Sequence, residues 1–146
     1  MFAGKFTNAI DAKGRCIVPA KFRHDLGSSC MLVKDFGDSL FLYPREYWER
    51  YATEHIESRP DEDPDAMDMK FLFYQNTCEC EIDKQGRINM PKDFIEHAGI
   101  TREMVNIGSM NRIQIWSKER FEEKTAEIAP RGRELFNNMH KYVPKP

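Results

Sequence analysis

Apolar and polar positions change period along this chain often enough to divide it into short elements. Phe6, Asn8 and Ile10 alternate with polar or small residues, Asp11-Ala-Lys-Gly14 supplies a turn, and Arg15-Cys-Ile-Val18 resumes extended structure. This is the pattern of a β-hairpin whose turn Gly takes a positive φ. Pro19 opens a short helix with Phe22 and Leu26 on one face and Gly27 just past its end, where a left-handed residue is favoured. Strands are predicted over 30–34 and 39–43, joined by Phe36-Gly37-Asp38, and a helix over 44–57 buries Tyr47, Trp48, Tyr51 and Ile56 at helical spacing. Further strands follow over 78–82, 87–90, 104–107 and 112–116, then a helix from Ser117 carrying Phe121 and Ile128. Between these sets, 65–74 reads as a helix with Met67, Phe71 and Tyr74 on one side, and 133–142 spaces Leu135, Phe136, Met139 and Tyr142 similarly.

The two sets of elements are copies. Asp11 through Gly27 lies 72 residues before Asp83 through Gly99, with Asp, Gly, Arg, Pro, Phe and Gly coinciding at six of seventeen positions. Further on the offset is 73, pairing Ser39–Pro44 with Arg112–Ser117, Glu46 with Glu119 and Trp48 with Phe121. One inserted loop residue explains both offsets. A half of about 70 residues has a marginal core and exposed sheet edges. The expected fold is therefore one β-rich α+β domain over residues 1–146, a pseudo-twofold β-barrel of interlocked halves with helices packed outside.

Charge changes the picture only when sorted along the chain. The total of −2 argues against a nucleic-acid partner at face value, because phosphate binding needs a positive surface. Residues 1–50 carry +2, residues 71–146 carry +1, and the stretch 51–70 alone carries −5. The halves are mildly basic, and the acidic excess, centred on Pro60–Asp65, reads as a solvated connector. Its Asp61, Asp63 and Asp65 do not make an EF-hand, since Pro60 and Pro64 interrupt them and the Gly and final Glu are missing. No apolar run approaches the ~18 residues of a membrane span. The first ten residues carry one Lys and no apolar leader core, so a cytosolic chain with no membrane partner is expected.

Catalytic chemistry finds little support. His24, His55, His97 and His140 stand on predicted helices or near the C-terminus without a His-x-Glu or Gly-x-Ser-x-Gly context. Cys16, Cys30, Cys78 and Cys80 lack zinc-ligand spacing, and the last two read as small buried hydrophobes sharing one side of a strand. No enzyme activity, metal, cofactor or small-molecule substrate is expected. The hairpin tips are the stronger candidates. In Asp11-Ala-Lys13-Gly14-Arg15 and Asp83-Lys84-Gln85-Gly86-Arg87, the Asp and Gly residues shape the turn. Lys13, Arg15, Lys84 and Arg87 then project as donors, and the planar Arg fork suits phosphate or the O6/N7 edge of guanine.

Taken together, Met1-Phe2-x-Gly4, Asp11-Ala-Lys-Gly-Arg15, Pro19-Ala-Lys-Phe22-Arg23, Leu40-Phe-Leu-Tyr43-Pro44, Asp83-Lys-Gln-Gly-Arg87-Ile and Asn111-Arg112-Ile-Gln-Ile-Trp116 resemble the MraZ family of bacterial transcriptional regulators over about residues 1–125. More distantly the chain is similar to the AbrB and antitoxin swapped-hairpin folds. The resemblance implies a first AbrB-like repeat over 1–58, an acidic connector and helix over 59–76, a second repeat over 77–128 and a C-terminal tail over 129–146. It implies a homo-oligomeric ring, located in the cytoplasm and nucleoid, that binds double-stranded DNA at tandem short repeats upstream of the division and cell-wall gene cluster. The family's DNA-contacting motif falls on Lys13, Arg15, Lys84 and Arg87. Cys16 and Asn89 depart from its usual aliphatic strand residues. The competing class is an antitoxin-like interaction module regulating a partner protein.

Overall fold

The computed structural model describes residues 1–139 and residue 141, so His140 and Tyr142 lie outside the described residues. It is a mixed α+β fold, in the order β1 (Phe2–Ala9), β2 (Arg15–Ile17), α1 (Ala20–Leu26), β3 (Ser29–Lys34), β4 (Leu40–Pro44), α2 (Arg45–Tyr51), α3 (Pro64–Gln75), β5 (Thr77–Glu81), β6 (Arg87–Asn89), α4 (Lys92–Ala98), β7 (Glu103–Met110), β8 (Arg112–Ser117), α5 (Lys118–Ile128) and α6 (Gly132–Asn138). A π-helical stretch, Ala52–Glu57, continues α2, and a 3₁₀ turn, Ala129–Arg131, joins α5 to α6.

Two expectations are corrected by the pairing of strands. The alternation around Asp11 predicts a hairpin, but β1 pairs along its length with β7, while β2 pairs with β6 from Arg15 opposite Asn89 to Ile17 opposite Arg87. Only the turn closes locally, through the Ile10–Cys16 bridge and the Asp11 N–H on the Arg15 carbonyl at 2.9 Å. The reason is reach: β1 has eight residues and finds an equally long partner in β7, whereas β2 offers three before Pro19. The closed barrel is likewise not formed. Six strands make one antiparallel sheet in the order β1-β7-β8-β4-β3-β5, and β2-β6 makes a separate ribbon, so the ladder ends at β1 and β5.

The six-stranded sheet is covered on both faces. Cys30 and Leu32 of β3 and Leu40 and Leu42 of β4 point into the main core, with Phe22 and Leu26 of α1, Phe94 and Ala98 of α4, and Cys16 and Ile88 of the ribbon. Phe2 and Phe6 meet the Phe22 ring edge-on at 5.5 and 5.0 Å. The alternate residues Met31, Val33 and Tyr43 face the other way and pack with Phe41, Tyr47 and Trp48 under α2. That double covering explains why β3 reads as an apolar run rather than an alternation.

Helix α3 departs from the apolar stripe predicted for it. Ala66, Met69, Lys70 and Phe73 turn inward, with Phe73 stacked on Trp48 at 6.0 Å, whereas Met67, Phe71 and Tyr74 are exposed. Both sides of α3 carry apolar residues, so period alone does not choose between them and the Trp48 ring does. Tyr47, Trp48 and Tyr51 are half-buried, and only Ile56 of the four expected core residues of that helix is buried. The acidic stretch is organised, not merely solvated. Asp63 caps α3 by accepting from the Asp65 N–H at 3.0 Å, and the Lys70 ammonium donates to Asp61 at 2.7 Å and to the Arg59 carbonyl at 3.2 Å. The hydrogen bond to Asp61 is the largest cause holding the Lys70 pKa above the ordinary lysine value. No helix among the described residues is long and apolar enough to cross a membrane.

Candidate nucleic-acid interface

Each basic tip is an Asp-x-x-Gly-Arg turn knitted by its own aspartate. In the first, one Asp11 carboxylate oxygen accepts the backbone N–H groups of Lys13 and Arg15, both at 2.9 Å, and the other accepts Arg15 Nε at 3.1 Å. In the second, Asp83 accepts the backbone N–H groups of Gln85 and Arg87 at 2.9 and 2.8 Å and Arg87 Nε at 2.9 Å. The Gly14 and Gly86 N–H groups close the turns onto the carbonyls of Asp11 and Asp83 at 3.1 and 2.9 Å, with φ of +82° and +79°. This is the two-residues-on hydrogen bonding that Asp favours in turns, made twice with the same atoms.

Backbone hydrogen bonds to the Arg residue pull both carboxyl pKa values below the ordinary 3.8, chiefly through the Arg15 N–H on Asp11 and the Arg87 N–H on Asp83. A depressed folded-state pKa stabilises the fold above 3.8, and that contribution is lost as pH falls through the folded value. Melting temperatures followed from neutral pH downward are expected to show the wild type above an Asp11→Asn/Asp83→Asn variant at neutral pH. The two curves should converge only below about the ordinary carboxylate range; parallel curves down to the lowest pH would remove the carboxylates from this role.

The turns hold each other as well as themselves. The Val18 N–H donates to the Gly86 carbonyl at 2.9 Å and the Met90 N–H donates to the Gly14 carbonyl at 2.8 Å. Together with the β2–β6 ladder these bonds fuse the tips into one ribbon. Its inner side chains, Cys16 and Ile88, are buried in the main core, which leaves Arg15, Ile17, Arg87 and Asn89 on the outer face. Asn89 therefore disturbs no packing, and Cys16 fills a core position.

Four further residues position the ribbon, and the sequence carries no local signal for them. Asn106, buried in β7, donates to the Asn8 side-chain oxygen at 2.9 Å, and Asn8 Nδ2 donates to the Ile17 carbonyl at 2.6 Å. That relay ties the ribbon to the large sheet. Arg23 of α1 donates from Nε to the Val18 carbonyl at 2.9 Å while its guanidinium lies against Gly86, and Ile95 of α4 lies against Gly14. Only the closed tertiary structure brings these helices under the tips. Ile17 is also absent from the sequence-derived candidates, although its aliphatic side chain is half-exposed on the outer face of β2, opposite Arg87 in the ladder.

Arg15 and Arg87 commit Nε to the aspartates, and no hydrogen bond to their terminal nitrogens is found among the described residues. Lys13 and Lys84 are exposed at the tips. The ribbon thus presents two oriented Arg forks and two exposed ammonium groups, and a two-stranded β-ribbon is an element that the major groove of duplex DNA admits.

The thiols offer no comparable chemistry. Burial pushes the Cys16 and Cys30 pKa values up to about 12, keeping both protonated at neutral pH. Cys78 is half-buried, and the Cys80 thiol 3.8 Å away lowers its pKa by hydrogen bonding. Timed alkylation of the native protein is expected to label Cys78 first and Cys16 and Cys30 only on unfolding; early labelling of Cys16 would contradict the seating of β2. The described residues contain no cluster of three or more His, Cys, Asp or Glu side chains arranged to hold a metal.

A family model described as "MraZ protein, putative antitoxin-like" matches residues 1–71 and 73–136. The chain is 41% identical over 139 residues to a protein named transcriptional regulator MraZ from Ligilactobacillus salivarius (strain UCC118), covering 95% of this chain and 96% of that one. It is 38% identical, with the same coverage, to the transcriptional regulator MraZ of Heliobacterium modesticaldum (strain ATCC 51547 / Ice1).

Proposed function

The chain belongs to the MraZ family, and on that premise we propose that it regulates transcription by laying the β2–β6 ribbon into the major groove of double-stranded DNA. The observation that carries the reading is the matched pair of Asp-x-x-Gly-Arg turns, each fixing an Arg fork on the ribbon's outer face. Arg15 and Arg87 read base edges, and Lys13 and Lys84 neutralise phosphates. Asp11, Gly14, Asp83 and Gly86 hold the turns. Gln85 stands where the first tip has Lys13, so the second tip contributes less charge at that position. No step of this mechanism needs a cofactor, a small-molecule substrate or an enzymatic residue.

The chain reads as two AbrB-like units, 1–58 and 77–128, joined by 59–76 and followed by the tail 129–146. The order strand, strand, helix, strand, strand, helix occurs twice, and the family match falls in two stretches, both of which support a duplication. Tandem short DNA repeats upstream of the division and cell-wall gene cluster are the proposed target, reached in the cytoplasm and nucleoid by a homo-oligomeric ring. The magnitudes favour several protomers. If one neutralises about two to four phosphates, its salt slope is only about −2 to −4, whereas linked protomers gain about 10²–10⁴ in avidity. A footprint on the DNA upstream of the protein's own gene is expected to show protection at regularly spaced repeats. Absence of any protected repeat, with a stoichiometric small protein co-purifying instead, would favour the antitoxin-like alternative.

A further inference from the structure

The outer face of the ribbon carries two cross-strand pairs, Arg15 opposite Asn89 and Ile17 opposite Arg87. Between them the ladder is centred on Cys16 opposite Ile88, so half a turn about that pair carries Arg15 onto Arg87 and Ile17 onto Asn89. The offset of 72 residues relates the same positions in sequence. The arginines keep this symmetry. Ile17 and Asn89 break it, with an aliphatic group at one place and an amide at its equivalent.

Packing does not account for the difference, because the inner side chains Cys16 and Ile88 make the contact with the core. Ile17 is 51% exposed, and the bond from Asn8 Nδ2 to its carbonyl fixes the strand while leaving the side chain outward. Asn89 is exposed, and among the described residues its side-chain amide has no hydrogen-bond partner, since the Cys80 thiol reaches only its main-chain oxygen. A lone exposed isoleucine is common on protein surfaces, but this one stands across the ladder from an Arg fork. Cross-strand neighbours are about 5 Å apart and residues two apart along a strand about 7 Å. Base pairs rise by about 3.4 Å, so the four side chains together span about two base-pair steps.

We propose that Asn89 and Ile17 read the bases beside the two arginines, Asn89 pairing with the N6/N7 edge of adenine and Ile17 covering the C5 methyl of thymine, so that the ribbon recognises a word without twofold symmetry. The proposal rests on the reading that this face enters the major groove, and names the base chemistry it takes there. An amide offers the donor and acceptor that adenine N7 and N6–H require. Isoleucine makes no hydrogen bond, and the apolar feature of the major groove is the thymine methyl. Set against guanine or cytosine, it would strip water from polar edges and return nothing. Two equivalent arginines do not distinguish the two directions of a duplex. The tips also differ, Lys13 against Gln85, but phosphate contacts carry no sequence information. Ile17 and Asn89 therefore give each protomer one direction on its site.

Single exchanges restore the symmetry of the face and a double exchange reverses it. Selection from a pool of random duplexes is expected to give wild type a word without twofold symmetry. Ile17→Asn should select a palindrome with adenine at both related positions, and Asn89→Ile one with thymine at both. Ile17→Asn/Asn89→Ile presents the original face turned by half a turn, so it should recover the wild-type word. Circular dichroism and melting temperature should stay close to wild type throughout, because both side chains are exposed. Modified bases then test each contact on the selected duplex. Uracil in place of the contacted thymine removes only the methyl, and should weaken wild type about fourfold, the worth of one buried carbon, while leaving Ile17→Ala unaffected. 7-Deazaadenine removes N7 and should weaken wild type about 2- to 10-fold, the worth of one hydrogen bond, while leaving Asn89→Ala unaffected. One word enriched by wild type and variants alike, or wild-type tolerance of both modified bases, would overturn this proposal and leave the DNA reading standing. A wild type that enriches no word would overturn both.

Discussion

Replacing Arg15 and Arg87 together by alanine is expected to abolish recognition of a repeat-containing promoter fragment while the protein stays folded. Both side chains stand on the outer face of β2–β6, where each guanidinium plane is set by its Nε bond to an aspartate at 3.1 or 2.9 Å. A bidentate contact to a base is worth about 1–3 kcal/mol of discrimination. Two lost per protomer amount to roughly 30-fold to 10⁴-fold, and an assembly multiplies the loss. Melting temperature should change little, because Asp11 and Asp83 keep the backbone N–H groups they accept. Arg15→Lys/Arg87→Lys separates two kinds of contact. It keeps the charge and loses the fork, so it should retain salt-sensitive binding to any duplex and lose preference for the promoter. Lys13→Ala or Lys84→Ala should lower affinity for all sequences alike and reduce the salt slope by about one. A mobility-shift titration at several salt concentrations reads all of these; wild-type affinity and preference in the double alanine variant would return both arginines to a purely structural role within their turns.

These outcomes concern residues whose role is legible because it is local. Asp11 and Gly14 act within five residues of Arg15, and the same chemistry recurs at Asp83 and Gly86, so the turn is written in adjacent letters. Pairing is not local. The alternation of Phe6, Asn8 and Ile10 marks a strand and says nothing of β7, a hundred residues on, which is why the hairpin expected there opens and β2 pairs with β6. The barrel expectation fails for a related reason: sequence does not say which strands meet across the chain, and β2 and β6 pair as a separate ribbon while the six-stranded ladder ends at β1 and β5. The relay from Asn106 through Asn8 to Ile17 joins three residues that look unremarkable in sequence, and only the fold makes it a support for the ribbon. On α3, an apolar pattern shared by both faces left the choice of inner face to Trp48.

The two turn glycines should not be equally sensitive, although sequence presents them as equivalents. Gly14→Ala is expected to destabilise strongly, because a Cβ there would stand 2.8 Å from the Met90 carbonyl oxygen. That oxygen is main chain, fixed at the end of the short strand β6. Left-handed backbone costs a non-glycine residue about 1–2 kcal/mol, and an unrelieved overlap adds about 1–3 kcal/mol. At Gly86 the Cβ would overlap the Arg23 guanidinium. A long side chain can swing aside, at the loss of its bond to the Val18 carbonyl. Gly86→Ala should therefore lower the melting temperature less than Gly14→Ala. Arg23→Ala in the same chain should recover most of the overlap part of that loss, while doing nothing for Gly14→Ala. Because Met90 donates its N–H to the Gly14 carbonyl, the displacement at Gly14 is passed to the opposite tip, and DNA binding should fall with stability. Equal melting temperatures for the two alanine variants, or a rescue of Gly14→Ala by Arg23→Ala, would mean that the ribbon does not hold the tips in the way its hydrogen bonds indicate.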